Sequence, residues 1–227
     1  MNIQHMFSEI APTYDRLNRW LSFSHDQKWR TRTIAALTAK LDMRVLDLCA
    51  GTCDMTVALL QRLPHATITC VDFSAAMLER GAEKIPHVFR PHVTLQCEDA
   101  AQLSLPDTSI DTTMCAFGMR NLPDQSRALR EIHRVLVKGG EFAILEFFHP
   151  TTWVAKTFAT TYGRFVLPWL GGKISRRPDA YRYLHTSTIA FYSIAAYRAL
   201  LETHGFAVRS VEDLSGGIAN LIMAIKT

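Results

Sequence analysis

VLDLCAGTCDMT, Val45 to Thr56, and CVDFS, Cys70 to Ser74, decide the fold class of this chain. Val45–Leu48 is a short apolar run broken by one acid, Asp47, the signature of a buried strand. It ends in a turn that contains Gly51 and enters a helix at Asp54. Thr67–Val71 is a second buried strand, and it too ends at an acid, Asp72. Gly51 and Asp72 stand about twenty residues apart, the spacing at which nucleotide-binding α/β folds place a ribose carboxylate after a close-approach turn. The dinucleotide pattern G-x-G-x-x-G is absent, because Cys49 and Cys53 flank the single Gly51. The pair of segments therefore predicts a nucleoside cofactor and argues against an NAD-dependent dehydrogenase.

Working outward, residues 1–41 read as helix, with Ile34, Leu37 and Leu41 at helical spacing. Helices are predicted over Asp54–Leu63, Ala75–Lys84 and Gln125–Leu136, the last stopped by Lys138-Gly139-Gly140. Val93–Cys97, Ile110–Ala116 and Phe142–Phe147 read as strands three to five. Alternating strands and helices predict a parallel sheet with helices on both faces. After Pro150 the pattern changes to an aromatic-rich segment broken by Pro168, Gly171, Gly172 and Pro178, read as a helix-and-loop insertion over 150–190. A helix over Ile194–His204, capped by Gly205, precedes two closing strands, Phe206–Asp213 and Ala219–Ile225, joined through Gly216-Gly217.

The 227 residues suffice for one α/β domain, 1–227, and 48% hydrophobic with 20% charged residues is ordinary globular composition. No run of about eighteen apolar residues predicts a membrane span, and the N-terminus lacks a basic-then-apolar leader pattern, so a cytoplasmic location is expected. The five cysteines are odd in number and fall mostly in or beside predicted strands, which suits buried thiols rather than a disulfide framework. Without a Cys-x-x-Cys pair no metal site is expected. A net charge of +4 is too mild to argue for nucleic acid. Residues 1–40 carry six Lys/Arg against three acids, and residues 150–187 six against one, so two basic segments flank a mildly acidic remainder. They read either as solvated surface or as attraction to an anionic membrane face.

Strand ends of an open α/β sheet are where ligands bind. Asp47 and Gly51 begin such a cleft, Thr52 offers a hydroxyl, and the Asp72 carboxylate suits a ribose diol. Asp99-Ala100 past strand three suits an adenine, with Asp99 accepting from the exocyclic amine. Phe73 and Ala116, at the ends of strands two and four, complete the candidate cofactor set.

D-x-x-x-G-T at Asp47–Thr52, the acid at strand two, D-A after strand three and RVL-x-x-GG before strand five resemble class I S-adenosylmethionine (SAM) methyltransferases. Tyr14–Trp29 (YDRLNRWLSFSHDQKW), Phe117–Asn121 (FGMRN) and Arg134–Phe147 (RVLVKGGEFAILEF) are similar to one branch, the UbiE/MenG/COQ5 family of quinone-biosynthesis C-methyltransferases. The similarity runs on into AYRYLHTSTIAFYS and GGIANLI and covers nearly the whole chain. It implies a Rossmann-like seven-stranded sheet with an antiparallel last strand. It also implies SAM contacts at Thr52, Asp72, Asp99 and Ala100, and methylation of a ring carbon of a polyprenylated benzoquinol or naphthoquinol. The chain departs from the family where Ala50-Gly51-Thr52-Cys53 replaces GGTG; a positive φ at Cys53 would be strained and would weaken the cofactor site. Asp26 stands where the family has a histidine, and Val137-Lys138 replace Lys-Pro.

A quinol carbon becomes nucleophilic when its hydroxyl ionises, which a nearby cation promotes. Arg120 is the candidate for that role, with Asn121 hydrogen-bonding beside it; an ion pair of Arg120 with Asp124 is the structural alternative. Tyr14, Asn18 and Tyr181 are candidate lid residues, with Tyr14 grouped with Arg120 and Asn121 as catalytic. A tailed quinol resides in the membrane, so Phe158, Phe165, Trp169, Arg176 and Arg177 are candidates for peripheral contact with the inner face of the cytoplasmic membrane. A homodimer is compatible with the chain. Competing readings are transfer to another small hydrophobic acceptor, to arsenite through cysteine ligands, or a scaffold without catalysis.

Overall fold

The computed structural model describes residues 3–40, 42–166 and 178–227, with the side chains of 165, 166 and 178–181 outside the description. The alternation builds one seven-stranded sheet in the order β3-β2-β1-β4-β5-β7-β6. Its strands are β1 Arg44–Leu48, β2 Thr67–Asp72, β3 Val93–Cys97, β4 Ile110–Ala116, β5 Leu136–Glu146, β6 Phe206–Leu214 and β7 Ala219–Lys226. β1 to β5 pair in parallel, and β7 runs antiparallel between β5 and β6. The order reverses between β1 and β4, the switch point where such sheets open a cleft at their carboxyl ends.

The strands are apolar on both faces because both faces are covered. Val45, Ile68 and Met114 pack against α3 (His25–Ala36), α4 (Asp54–Arg62) and α5 (Ala75–Lys84) through Ile34, Leu59 and Leu78. Leu46, Leu48 and Ile144 face the other way, onto Leu129 and Ile132 of α6 (Gln125–Val135) and Tyr197 and Leu201 of α9 (Ile194–Thr203). Ser74, Asp124 and Ser193 start α5, α6 and α9 by accepting from the amides of Met77, Arg127 and Ala196.

The N-terminal region is three helices rather than one: α1 Ile3–Ile10, α2 Tyr14–Leu21 and α3. Pro12 disfavours helix at the residue before it, and Phe23 (φ 50°) and Ser24 (φ 60°) turn the chain left-handed before α3. Met6, Ile10, Leu17 and Leu21 form a third apolar cluster that packs on Tyr162, Tyr183 and Leu184 of the later insertion. There, α7 (Trp153–Phe158) widens into a π-type helix over Ala159–Val166, and α8 spans Pro178–Ala190. Lys138-Gly139-Gly140 does not stop α6. The helix already ends at Val135, Leu136 is fully buried and extended in β5, and Gly139 (φ 73°) lies in a bulge between the Leu136–Ile110 and Glu141–Thr112 pairs.

The turn after β1 is left-handed at Cys49 (φ 55°), Gly51 (φ 53°) and Cys53 (φ 58°). A cysteine in that conformation costs roughly 1 kcal/mol. Packing opposes the strain: Cys53 is fully buried, and its sulfur occupies space left by the missing Cβ of Gly81 on α5. A Cβ at position 81 would lie 2.4 Å from that sulfur. Gly81→Ala should therefore lower stability by about 1–3 kcal/mol, and adding Cys53→Gly should restore most of the loss. Urea denaturation of both single variants and the double checks this; purely additive losses would show that the positions do not share space.

Candidate functional site

Gly51, Asp72, Phe73, Asp99, Ala100 and Ala116 come together in one cavity at the carboxyl ends of β1 to β4. Gly51 has nothing within 4 Å of where a Cβ would stand, so the absent side chain leaves open space for a ligand. Asp72 accepts from the Gly51 amide at 2.8 Å on one oxygen and from the Ser74 amide at 2.9 Å on the other. Burial raises its pKa, and the amides of Ser74, Gly51 and Phe73 pull it back. Each oxygen keeps acceptor capacity for a hydroxyl donor. Asp99 is exposed and accepts from the Ala101 amide at 2.8 Å, while Ala100 beside it is buried.

Two residues of the predicted cofactor set lie off this cavity. Asp47 is buried beneath the turn, where Thr56 donates to it from its amide at 3.1 Å and its hydroxyl at 2.7 Å. Burial pushes its carboxyl up to about 7, opposed by the Thr56 bonds and the charge of Arg30. Thr52 is buried too, and its hydroxyl turns outward to Asp15 at 2.5 Å and to Lys84 at 3.1 Å. Lys84 also binds Asp15 at 2.8 Å and pairs with Asp54, so α2 is fastened to the turn and to α4 and α5. Gln4 donates to the Phe73 carbonyl at 2.6 Å and Ser8 bonds Ser74 at 2.9 Å, which lays α1 over the cavity as a roof.

A second cavity, walled by Leu21, Trp29, Phe147, Phe148 and Phe158, adjoins the first; Phe7, Tyr14 and Phe117 line both. Arg120 lines its polar end, with Asn18, Asp26 and Arg30. The Arg120 partner is Glu146 at 2.5 Å, not Asp124, whose carboxylate starts α6. Both ion-pair side chains are buried, and Arg120 also donates to the Phe117 carbonyl at 2.8 Å. Asn121 lines the first cavity, donates to the same carbonyl at 3.2 Å and accepts from Tyr183 at 3.1 Å. Burial raises the Tyr14 hydroxyl, and the charges of Arg30 and Arg120 pull it down. Gln125 holds this turn from α6 by donating to the Leu122 carbonyl at 3.2 Å, and buried Tyr197 bonds Gln125 in turn.

Residues 1–226 match the sequence profile of the ubiE/COQ5 methyltransferase family. The chain belongs to that family. Membership makes it a SAM-dependent methyltransferase. It is 41% identical over 214 residues to a protein of Thermus thermophilus named demethylmenaquinone methyltransferase, covering 94% of this chain and 96% of that one. It is 37% identical to the Geotalea uraniireducens ubiquinone/menaquinone biosynthesis C-methyltransferase UbiE, covering 99% and 96%. Among solved structures, a Thermotoga maritima SAM-dependent methyltransferase superposes with a TM-score of 0.71 at 19% identity, covering 99% of this chain and all of that one. The [4+2]-cyclase SpnF superposes at 0.73 with 15% identity, covering 99% and 94%. These likenesses show the shared fold alone.

Sequence reading missed Gln4, Phe7, Met77 and Cys97 of the first cavity and Asp26, Trp29 and Arg30 of the second. The family motif Tyr14–Trp29 takes in Asp26 and Trp29 but stops one residue short of Arg30; the α1 residues carry no signal of their own. Phe158 is half-buried, lines the second cavity and stacks on Tyr162 at 4.9 Å. Trp169, Arg176 and Arg177, and the side chains of Phe165 and Tyr181, lie outside the described residues.

The raised Asp47 carboxyl gives a signed pH effect. Its folded pKa lies above the unfolded one, so its contribution to stability is complete below about pH 4 and is lost as pH rises through about 7. Asp47→Asn, which stays neutral, should gain on the native protein by a few kcal/mol between about pH 5 and pH 8. Urea denaturation across that range checks it, and parallel pH curves would contradict it.

Proposed function

We propose that the chain methylates a ring carbon of a polyprenylated quinol, either demethylmenaquinol or 2-methoxy-6-polyprenyl-benzoquinol. The observation that carries this reading is the shared wall of Phe7, Tyr14 and Phe117 between an acid-edged cavity and an aromatic one. The names of the Thermus and Geotalea relatives support the same acceptor class. In this reading Asp72 accepts from ribose hydroxyls, Asp99 from the adenine amine, and Gly51, Phe73, Ala100 and Ala116 shape the cofactor cleft. Asp47 and Thr52 act at one remove, by holding the turn. Bound SAM supplies an electrophilic methyl, its C–S bond breaking with the electron pair left on sulfur.

The protein's part is to set the acceptor carbon in line with that methyl and to favour the ionised quinol. Positioning contributes up to about 7–11 kcal/mol in ideal systems. A phenol pKa of about 10 leaves little quinolate at neutral pH, so a buried cation beside the oxygen is the larger lever. Arg120 fills that role, with Tyr14, which lines both cavities, orienting the ring, and Asn121 acting from the cofactor side by holding the Phe117 carbonyl and the Tyr183 hydroxyl. The N-terminal helices, with α7, its π-type extension and α8 from the insertion, cover the acceptor cleft.

A prenyl tail leaving an apolar cavity favours a peripheral place on the inner face of the cytoplasmic membrane. Among the described residues no helix is long and apolar enough to cross one. Trp20, Phe23 and Trp153 are 67%, 73% and 80% exposed, and Arg16, Arg19, Lys28 and Lys156 are exposed on the same helices or beside them. Vesicles containing anionic phospholipid should therefore retain the protein in sedimentation, and Trp20→Ser with Phe23→Ser should weaken retention several-fold. No retention of the native chain would count against the membrane contact.

The direct test is methyl transfer to short-tailed demethylmenaquinol and to the matching benzoquinol. Arg120→Ala should lower turnover about 100-fold or more while leaving SAM affinity near its native value. It also strands Glu146, a charge with no exposure, which destabilises by about 3–5 kcal/mol. Adding Glu146→Gln should recover the melting temperature but not the turnover. Recovery of both would make Arg120 a purely structural residue.

A further inference from the structure

Among the titratable groups that line the aromatic cavity, the roles above leave Asp26, Arg30 and His185 unused, and Asp26 is the one with an open acceptor. Asp26 on α3 lines the cavity and is 4% exposed. One carboxylate oxygen accepts from the Ser22 hydroxyl at 2.6 Å, which closes the turn between α2 and α3. The other is buried and accepts no hydrogen bond among the described residues. A helix-turn contact needs only the first oxygen. A buried acceptor left open in a ligand cavity implies a donor that arrives with the ligand.

Two cationic side chains, Arg30 and Arg120, line the same cavity. Arg30 stands one turn further along α3, its guanidinium 5.4 Å from the centre of the Phe117 ring; its Nε makes no hydrogen bond but lies 3.9 Å from the Asp54 carboxylate, an ion pair too long to use the N–H. The Nε of Arg120 is likewise unbonded. Phe117 belongs to the wall shared with the cofactor cavity, so the Arg30 end of α3 abuts the place where transfer would occur. One open acceptor beside two cations, each with an Nε hydrogen that has no acceptor, matches a hydroxyl that loses its proton and becomes an oxyanion.

We propose that Asp26 is the catalytic proton acceptor for the quinol hydroxyl, an assignment that rests on the quinol reading above. The O–H bond breaks, the proton passes to the open oxygen of Asp26, and the electron pair stays on the ring oxygen. Arg30 and Arg120 offset the charge. The pair, delocalised into the ring, makes the neighbouring carbon nucleophilic. Once that carbon carries the methyl, its hydrogen leaves to water as a proton and its bonding pair restores the aromatic ring. Asp26 then returns its proton to the oxygen. One proton is released per methyl transferred, which matches the positive charge lost when SAM becomes S-adenosylhomocysteine.

The test uses the full chain saturated with S-adenosylhomocysteine and two small probes, 1-naphthol and 1-methoxynaphthalene. Calorimetry should show the native protein binding the hydroxyl compound about tenfold tighter, as expected for a hydrogen bond to a charged acceptor. Asp26→Asn should shrink that preference several-fold while affinity for 1-methoxynaphthalene stays within about twofold. With a quinol acceptor, Asp26→Asn should lower kcat about 100-fold or more and leave the SAM Kd unchanged. The deficit should narrow for an acceptor carrying an electron-withdrawing group, whose hydroxyl ionises unaided. Equal binding of both probes by the native protein overturns the assignment even if the variant does not fold. So does native-like turnover of Asp26→Asn. A native chain that prefers 1-naphthol yet methylates no quinol instead overturns the functional reading alone.

Discussion

The bond from the Gly51 amide to the Asp72 carboxylate joins the end of β2 to the turn after β1, and the ligand-bearing edge of the sheet is arranged around it. The second oxygen of the same group holds the Ser74 amide, where α5 begins. One carboxylate thus spans two strand ends and a helix start. Burial opposes its ionisation and the surrounding amides favour it, so the charge is tolerable there only while the turn keeps its amides pointed inward. The left-handed residues Cys49, Gly51 and Cys53 belong to that arrangement. Asp47 supports the turn from below through Thr56.

The roof depends on the same place. α1 reaches the carbonyl of Phe73 and the hydroxyl of Ser74, and α2 reaches Thr52 through Asp15. The aromatic contacts of Phe7 with Tyr14 and Phe73 continue the line at 6.2 and 6.1 Å. Both cavities therefore share a cover as well as a wall. A common cover excludes water from both sides of the transfer point together, which strengthens the charges placed there.

Much of this was legible in the residues. β3, β4 and α5 have the boundaries that periodicity and caps predict, because each is bounded by local chemistry such as the Ser74 cap. Three strand-end acids located the cofactor edge, although only Asp72 and Asp99 line the cavity. Asp47 resembles Asp72 in sequence context, but it pairs in register with Cys70, two residues short of Asp72, so it sits below the strand ends against Thr56, a distinction made by strand register rather than by residue type. Glu146 as the partner of Arg120 was hidden for a similar reason: its place depends on β5 lying beside β4, not on nearness in sequence. The Lys138-Gly139-Gly140 bulge looked like a helix stop because glycine serves both purposes, and the tertiary pull on Leu136 decided between them.

Cys53 began as an irregularity in the turn and ends as half of a fitted pair. Its sulfur and the bare α-carbon of Gly81 occupy one volume, divided between a loop and a helix nearly thirty positions apart in the chain. The two positions are thus not free to drift separately. A glycine at position 53 would leave room for a side chain on the helix, whereas any side chain as large as cysteine there requires the helix to stay bare at 81.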